Sequence, residues 1–432
     1  MMRVALHNLG CKVNAYETEA MSQQFGNAGY EIVDFKEIAD IYIINTCSVT
    51  NVADRKSRQM LHRSKKQNEN AIVVAVGCYA QVAAEQLEQD EAIDIVVGNN
   101  KKKEIVQIVE NYIKDRKENK KIIDVADNCE YEEIELETVT DHTRAYIKVQ
   151  DGCNQFCSYC IIPYARGRIR SRDAKNVYEE IKRLVEQGFM EFVITGIHLS
   201  SYISGQTRLI DLIENINAIP GVERIRLGSL EPGIITEEFA GRLSKCEKVC
   251  QHFHLSMQSG CDTVLQRMNR RYDSSLYYQK CQILQKYFEN PAFTTDVIVG
   301  FPGETDEEFE TTLKFVEKVG FAELHVFKYS KRNGTKAAVM PNQVDEKIKS
   351  VRSDRLIELG ENLKDKYRKT YIGKTIPVLM EEHVEIDGVD FQVGHTKEYI
   401  KVAVKTDMEM CGTIENLKIL ERLNGEIMLA TI

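Results

Sequence analysis

The chain has 432 residues, 43% of them apolar, and a formal net charge of -9. That length supports two or three domains with ordinary cores, and the acidic balance excludes a nonspecific nucleic-acid coat, which carries a strong basic excess. The start "MMRVALHNLGCKVN" has no apolar h-region, and no stretch approaches the roughly 20 apolar residues of a bilayer span, so the expectation is a cytoplasmic protein without membrane contact.

Near the N-terminus "RVALH", "DIYIINT", "AIVVAVG" and "IDIVVG" alternate with helical stretches, including one from about Val52. This predicts a small parallel α/β domain over residues 1–130. The polar segment "KDRKENKKIIDVADNCEYEEIELE" reads as a linker or irregular crossover. From Arg144 six further strands, "RAYIKVQ", "EFVIT", "RIRLGS", "QHFHLS", "FTTDVIV" and "AELHVFKY", alternate with helices. They predict a partial (βα)6 barrel across 140–370, with its site at the C-terminal strand ends. A charged helix from about Val344 to Lys369 leads to residues 371–432, whose short alternating strands predict a small β-barrel. The fold class is α/β with this β appendix.

Twelve cysteines without an export signal belong to a reducing compartment, where clustered thiols bind metal or do redox chemistry rather than pair. Cys153, Cys157 and Cys160 form C-x3-C-x2-C directly after the first predicted barrel strand. Three thiolates suit three irons of a 4Fe-4S cube and leave the fourth open to a ligand; zinc would want a fourth ligand that the segment does not offer. Cys11, Cys47 and Cys78 each follow a predicted strand of the N-terminal domain, at the ends that converge on one crevice in an open α/β sheet. Each alone reads as a small buried apolar residue; together they suit a second three-thiolate cluster. The other six cysteines, Cys129, Cys246, Cys250, Cys261, Cys281 and Cys411, read as structural.

Further strand ends carry "TGIH" with Gly196, "GSLEP" with Glu231, "SMQSG" with Gln258, and "GFPGET". These suit the walls of a pocket, where small residues admit a ligand and Glu231 meets a ribose hydroxyl; the alternative is ordinary turns and helix caps. Arg166, Arg168, Arg170 and Arg172 occupy alternate positions, so an extended backbone would put four guanidiniums on one side, to grip RNA phosphate or a cofactor carboxylate. A solvated loop is the alternative. Lys101, Lys102 and Lys103 read as exposed charge.

C-x3-C-x2-C with Tyr159 before its third cysteine resembles the radical S-adenosylmethionine superfamily, whose cluster binds the methionyl end of the cofactor and whose electron cleaves its sulfonium to a deoxyadenosyl radical. With "GCKVN", "INTC", "GCYAQ", "IPYARGRIRSR", "VIVGFPGET" and "HVFKYSKRNGT", nearly the whole chain resembles the methylthiotransferases. The resemblance implies two 4Fe-4S clusters, on Cys11, Cys47 and Cys78 and on Cys153, Cys157 and Cys160, together with S-adenosylmethionine and a C-terminal TRAM barrel. It places Tyr159, Gly196, Glu231, Gln258 and Arg172 at the cofactor. "GCKVN" resembles the branch acting on threonylcarbamoyladenosine beside the tRNA anticodon; the alternatives are isopentenyladenosine in tRNA and a ribosomal-protein aspartate. A different class of reading is a noncatalytic iron-sulfur RNA-binding protein or electron carrier. The implied partners are tRNA, an electron donor and a sulfur donor. Arg166, Arg168, Arg170, Lys397 and Lys401 are the expected RNA contacts, although residues 371–432 hold 6 Lys or Arg against 11 Asp or Glu.

Overall fold

The computed structural model of the chain describes residues 1–115, 130–137 and 143–432, together with the backbone of 120–121. The N-terminal sheet comprises β1 (Arg3–Asn8), β2 (Glu31–Val33), β3 (Ile41–Thr46), β4 (Ile72–Gly77), β5 (Ile95–Val97) and β6 (Lys120–Lys121). All are parallel, in the order β2-β1-β3-β4-β5-β6. β3 and β4 are buried at every residue, which is why they read as unbroken apolar runs and not as alternating ones. Helix α1 (Lys12–Asn27) covers one face through Met21 and Phe25, and α2 (Asn51–Gln67) covers the other through Leu61. The order reverses between β1 and β3, a topological switch point, where ligands bind at the carboxyl ends of strands. The edge strands β2 and β6 are additions to the predicted set.

The central domain forms all six predicted strands: β7 (Arg144–Asp151), β8 (Glu191–Gly196), β9 (Arg224–Leu227), β10 (His252–His254), β11 (Ala292–Val299) and β12 (Glu323–Lys328). Two hydrogen-bonded sheets, β9-β8-β7 with Arg170–Ser171 at its edge and β10-β11-β12, are joined by parallel bridges Ile225 to Val249 and Leu230 to Leu255. The result is a partial barrel with β12 at its open edge. Outward side chains such as Ile147, Ile194, Phe253 and Val297 pack under the surrounding helices in one core. Each fully buried aliphatic or aromatic group there contributes about 1.5–3 kcal/mol relative to exposure.

A charged helix, Glu346–Lys369, leads to β13 (Thr375–Ile386), β14 (Val389–Thr396), β15 (Lys401–Val404), β16 (Ile414–Arg422) and β17 (Ile427–Thr431), which form a closed barrel. This barrel docks under the N-terminal ends of the central strands. Arg224 donates to the carbonyls of Pro377 and His395, and Arg226 to those of Thr396 and Lys397. The Tyr399 ring lies 4.6 Å from the Arg226 guanidinium and 5.2 Å from His252. Lys397, expected at RNA, donates to the Glu247 carbonyl at 2.6 Å, and Lys401 pairs with Glu382 at 3.1 Å. Both ammoniums are thus engaged within the protein.

Candidate active site

Two of the six cysteines sit where a glycine just before them bends the chain. Gly77, at φ +99°, precedes Cys78, and a Cβ there would fall 2.4 Å from Asn45 Oδ1 and 2.9 Å from the Thr46 carbonyl. Gly152, at φ +71°, precedes Cys153, and a Cβ there would fall 1.8 Å from the Arg168 carbonyl. The backbone turns sharply off a strand end at both points and only glycine fits.

Cys11, Cys47 and Cys78 follow β1, β3 and β4 and converge on the switch-point crevice. Asn14 ties them together: its amide donates to Asn45 and to the Thr46 carbonyl, and its oxygen lies 3.6 Å from Cys11 Sγ. The Arg166 guanidinium donates to that same oxygen at 2.9 Å and, through Nε, to Cys78 Sγ at 3.2 Å. Burial pushes the Cys47 thiol up to about 11, with the nearby charges of Cys78 and Cys11 adding to the effect. The second triad mirrors the first. Arg270 donates to Cys157 Sγ at 3.2 Å while Glu231 clamps the guanidinium through both its oxygens at 2.9 Å. Burial and the neighbouring thiols push Cys153 up to about 11 and Cys160 up to about 12. Such thiols stay protonated until a metal displaces the proton. Among the described residues, neither set of three thiols brings all its sulfurs within the 4.8 Å span of a single-ion site. Three thiols without a fourth ligand, each set braced by an arginine N-H to sulfur, fit a 4Fe-4S cube with one open iron better than tetrahedral zinc.

A cavity of about 280 Å³ opens above Cys153, Cys157 and Cys160. Tyr159, Glu231 and Gln258 line it; Gln258 takes a left-handed backbone, φ 68°. Gly196 itself packs on Gln150, and the next two residues, Ile197 and His198, face the cavity. "GFPGET" does not reach it: Thr305 caps the following helix in a capping box with Glu308, and Glu304 binds the Gly300 amide and Arg352. Arg270, unremarkable in sequence as one of several charges after a helix, lines this cavity as a cation, as does Lys328. Val49 and Thr50, from the loop after Cys47, complete the wall beside Phe327 to Ser330, where the Asn51 amide donates to the Ser330 hydroxyl at 3.0 Å. Arg332 clasps that loop, pairing with Asp54, Asn51 and Ser48, each at 2.7 Å. The loop after Cys47 therefore borders the space above Cys153, Cys157 and Cys160, while the sulfurs of the first triad lie outside its lining.

The expected row of guanidiniums does not form. Arg166 ends a short helix, Ile162–Arg166, and Arg166, Arg170 and Arg172 are buried between the domains; Arg168 alone is exposed, 4.7 Å from the Phe156 ring. Arg166 meets Glu17 at 2.9 Å and Asp151 at 3.1 Å, and Lys148 lies 2.7 Å from both. Arg170 donates to the Arg166 carbonyl, and Arg172 pairs with Glu180 at 2.7 Å and with Glu133, away from the cavity. Lys102, read as exposed, is 1% exposed and bonded to Glu17 at 2.7 Å. Burial raises the carboxyl of Glu17, but Arg166, Lys102 and Lys148 outweigh it and hold the group well below the usual range. Anionic partners inside the protein, not phosphate, answer these charges.

Residues 3–98 match the model of an uncharacterized protein family, UPF0004, and residues 147–316 that of the radical SAM superfamily. The chain is 42% identical over 425 residues to threonylcarbamoyladenosine tRNA methylthiotransferase MtaB of Bacillus subtilis, covering 98% of this chain and 94% of that one. It belongs to the radical SAM methylthiotransferases. Another relative is the tRNA-2-methylthio-N(6)-dimethylallyladenosine synthase of Finegoldia magna, 33% identical across 97% of this chain and 93% of its own. The fold is shared with TsrM from Kitasatospora setae, a radical S-adenosylmethionine methyltransferase with cobalamin and a [4Fe-4S] cluster bound. The TM-score is 0.59 at 14% identity, over 78% of this chain and 74% of that one. As a radical SAM methylthiotransferase, the chain works with S-adenosylmethionine and a 4Fe-4S cluster. None of its described helices is long and apolar enough to cross a membrane.

Proposed function

We propose that this methylthiotransferase acts on the adenine of threonylcarbamoyladenosine beside the anticodon of tRNA. The observation that carries the reading is the shared cavity: Val49 and Thr50 bring the Cys47 loop to the wall of the space above Cys153, Cys157 and Cys160. A pure electron carrier has no use for a ligand cavity over such a site. Cys153, Cys157 and Cys160, which line the cavity, would hold the radical-generating cluster, and Cys11, Cys47 and Cys78 would hold a second. When bound, the two clusters supply an electron to the sulfonium of S-adenosylmethionine and a sulfur to be methylated and transferred. Tyr159, Ile197, Glu231 and Gln258 shape the cofactor's berth, and Arg270 supplies cationic charge to it while holding Cys157 in place. An electron donor and a sulfur donor are required as further partners.

The substrate is supported by the relative named above, which matches nearly the whole chain and acts on that nucleoside. Mass spectrometry of tRNA nucleosides tests it, in a host lacking its own methylthiotransferases, with and without this gene. Methylthio-threonylcarbamoyladenosine is the expected product; methylthiolated dimethylallyladenosine or a modified ribosomal-protein aspartate would replace this reading.

The RNA contact falls to α2 and not to the arginine row. Six Lys or Arg and a single acid, Asp54, lie on this helix. Arg55, Lys56, Arg63 and Lys66 are exposed, and no described side chain pairs with them. They adjoin a groove of about 920 Å³ lined by Arg58, Tyr164 and Arg332, which runs beside the loop that forms the cavity wall. Replacing those four cations with Gln is expected to weaken tRNA binding and to flatten its salt dependence, each lost phosphate contact removing roughly 0.7–0.9 from the log–log slope. Filter binding across a salt series measures it, and an unchanged slope would move the RNA elsewhere.

A further inference from the structure

Inside the barrel, next to the cavity, three polar side chains have no role in the account so far. Phe253, Phe293 and Val297 point outward into the helix layer, so His254, Thr294 and Asp296, in the opposite phase of β10 and β11, face the lumen. His325 on β12 is the register partner of Asp296. Ligand atoms of His254, Asp296 and His325 all lie within 4.8 Å of one another, and the two imidazoles stack at 5.8 Å and 24°. Asp296 also lines the cavity, as does Phe327, which shares the His325 face of β12 and is 46% exposed at the mouth.

The hydrogen bonding of this group is incomplete. His254 Nδ1 is fixed by the Thr294 hydroxyl at 3.1 Å, which aims Nε2 at Asp296. That nitrogen comes only to 3.5 Å of the carboxylate and is buried without a hydrogen-bond partner. His325 has no such partner among the described residues. Of the three, His254 Nε2 is the buried atom left open, while Asp296 is half-buried and His325 exposed; a buried polar atom is normally satisfied, and one left open beside a substrate cavity is completed by what enters it. The open edge of the barrel, at β12, is the side from which a flipped-out base would enter, with Phe327 as a face to stack on.

We infer that His254, Asp296 and His325 read the polar arm on N6 of the target adenosine. The inference rests on the substrate proposed above. A threonylcarbamoyl arm carries a carboxylate and a urea-type carbonyl, which accept from imidazole N-H groups, and N-H and hydroxyl donors, which Asp296 accepts. A dimethylallyl arm is hydrocarbon and would strand the same three groups. A site built to bond polar groups rejects an analogue lacking them far more strongly than an apolar pocket rejects an extra group. This gives the chain a means of separating the two tRNA substrates on which its relatives act.

The test uses the anaerobic holoenzyme and two anticodon stem-loop RNAs, one with threonylcarbamoyladenosine and one with dimethylallyladenosine. His325→Phe is expected to lower kcat/KM on the first by roughly 10- to 100-fold while the second is held or gained, so that the ratio of the two shifts by at least about tenfold. Asp296→Asn, which keeps the side-chain shape, is expected to move the ratio the same way. Equal losses on both RNAs, or an unmoved ratio in an active enzyme, would overturn the role of the triad alone. A wild-type enzyme active only on the dimethylallyl RNA would overturn the substrate reading beneath it. Two imidazoles and a carboxylate are also a donor set for a divalent cation. Loss of the free manganese(II) resonance on adding holoenzyme, abolished by Asp296→Asn, would assign the triad to metal and overturn the inference.

Discussion

Cys157→Ala is expected to abolish reductive cleavage of S-adenosylmethionine, whereas Cys47→Ala keeps cleavage within about tenfold of wild type, ~1.4 kcal/mol in the barrier, and makes no methylthio product. The asymmetry follows from placement. Cys157 lies at the floor of the cavity with Arg270 on its sulfur, so its loss removes a ligand where the cofactor binds. Cys47 lies across the wall, and the groups that shape the cofactor's berth, Tyr159, Glu231, Gln258 and Arg270, do not depend on its sulfur. Deoxyadenosine and methylthio-nucleoside, quantified from the same reaction, give both readouts. Equal loss of the two in Cys47→Ala would contradict the division between the triads.

Glu17→Gln is expected to destabilise the junction of the first two domains by about 3–5 kcal/mol, the cost of breaking a buried ion pair and leaving its partner uncompensated. Glu17 is 1% exposed and meets Lys102, Lys148 and Arg166, whereas Asp151 is the other carboxylate that faces Lys148, Arg166 and Arg170. Without Glu17, Lys148, Arg166 and Arg170 share Asp151, and Lys102 keeps only the attraction of Glu132. Thermal unfolding and limited proteolysis between the domains measure the loss, and Glu17→Gln combined with Lys102→Met should recover part of it by restoring balance. The sign with pH is fixed as well. Glu17 is held below its unfolded value of 4.5, so its stabilisation is fully present above that value and is lost as pH falls toward the folded one.

The periodicity of the chain made the three-part architecture legible, because parallel strands buried on both faces leave apolar runs that nothing else explains. The six clustered cysteines were legible because spacing and strand ends are sequence properties. The arginines were not. "RGRIRSR" alternates like an exposed strand, but Arg166 ends a helix and Arg166, Arg170 and Arg172 are buried against acids at positions 17, 133, 151 and 180, whose proximity only the fold creates. Lys102 was misread for the same reason, since Glu17 lies 85 residues away. Arg270 and Arg332 carried no local signature: each becomes informative only when a thiol or the loop after Cys47 is brought to it. The basic helix α2 was visible in composition, but a net charge of -9 and the more regular alternation of Arg166 to Arg172 masked it.

Arg166 gives Cys78 a hydrogen bond and gives Glu17 and Asp151 their ion pairs with one and the same guanidinium. What happens at that sulfur and how firmly the first two domains hold together are therefore thermodynamically linked, and reciprocally so. Loading of the N-terminal cysteines should tighten the junction, and a preformed junction should favour loading by the same factor. Whatever the N-terminal cysteines take up is therefore felt at the junction, and a change at the junction is felt at those cysteines.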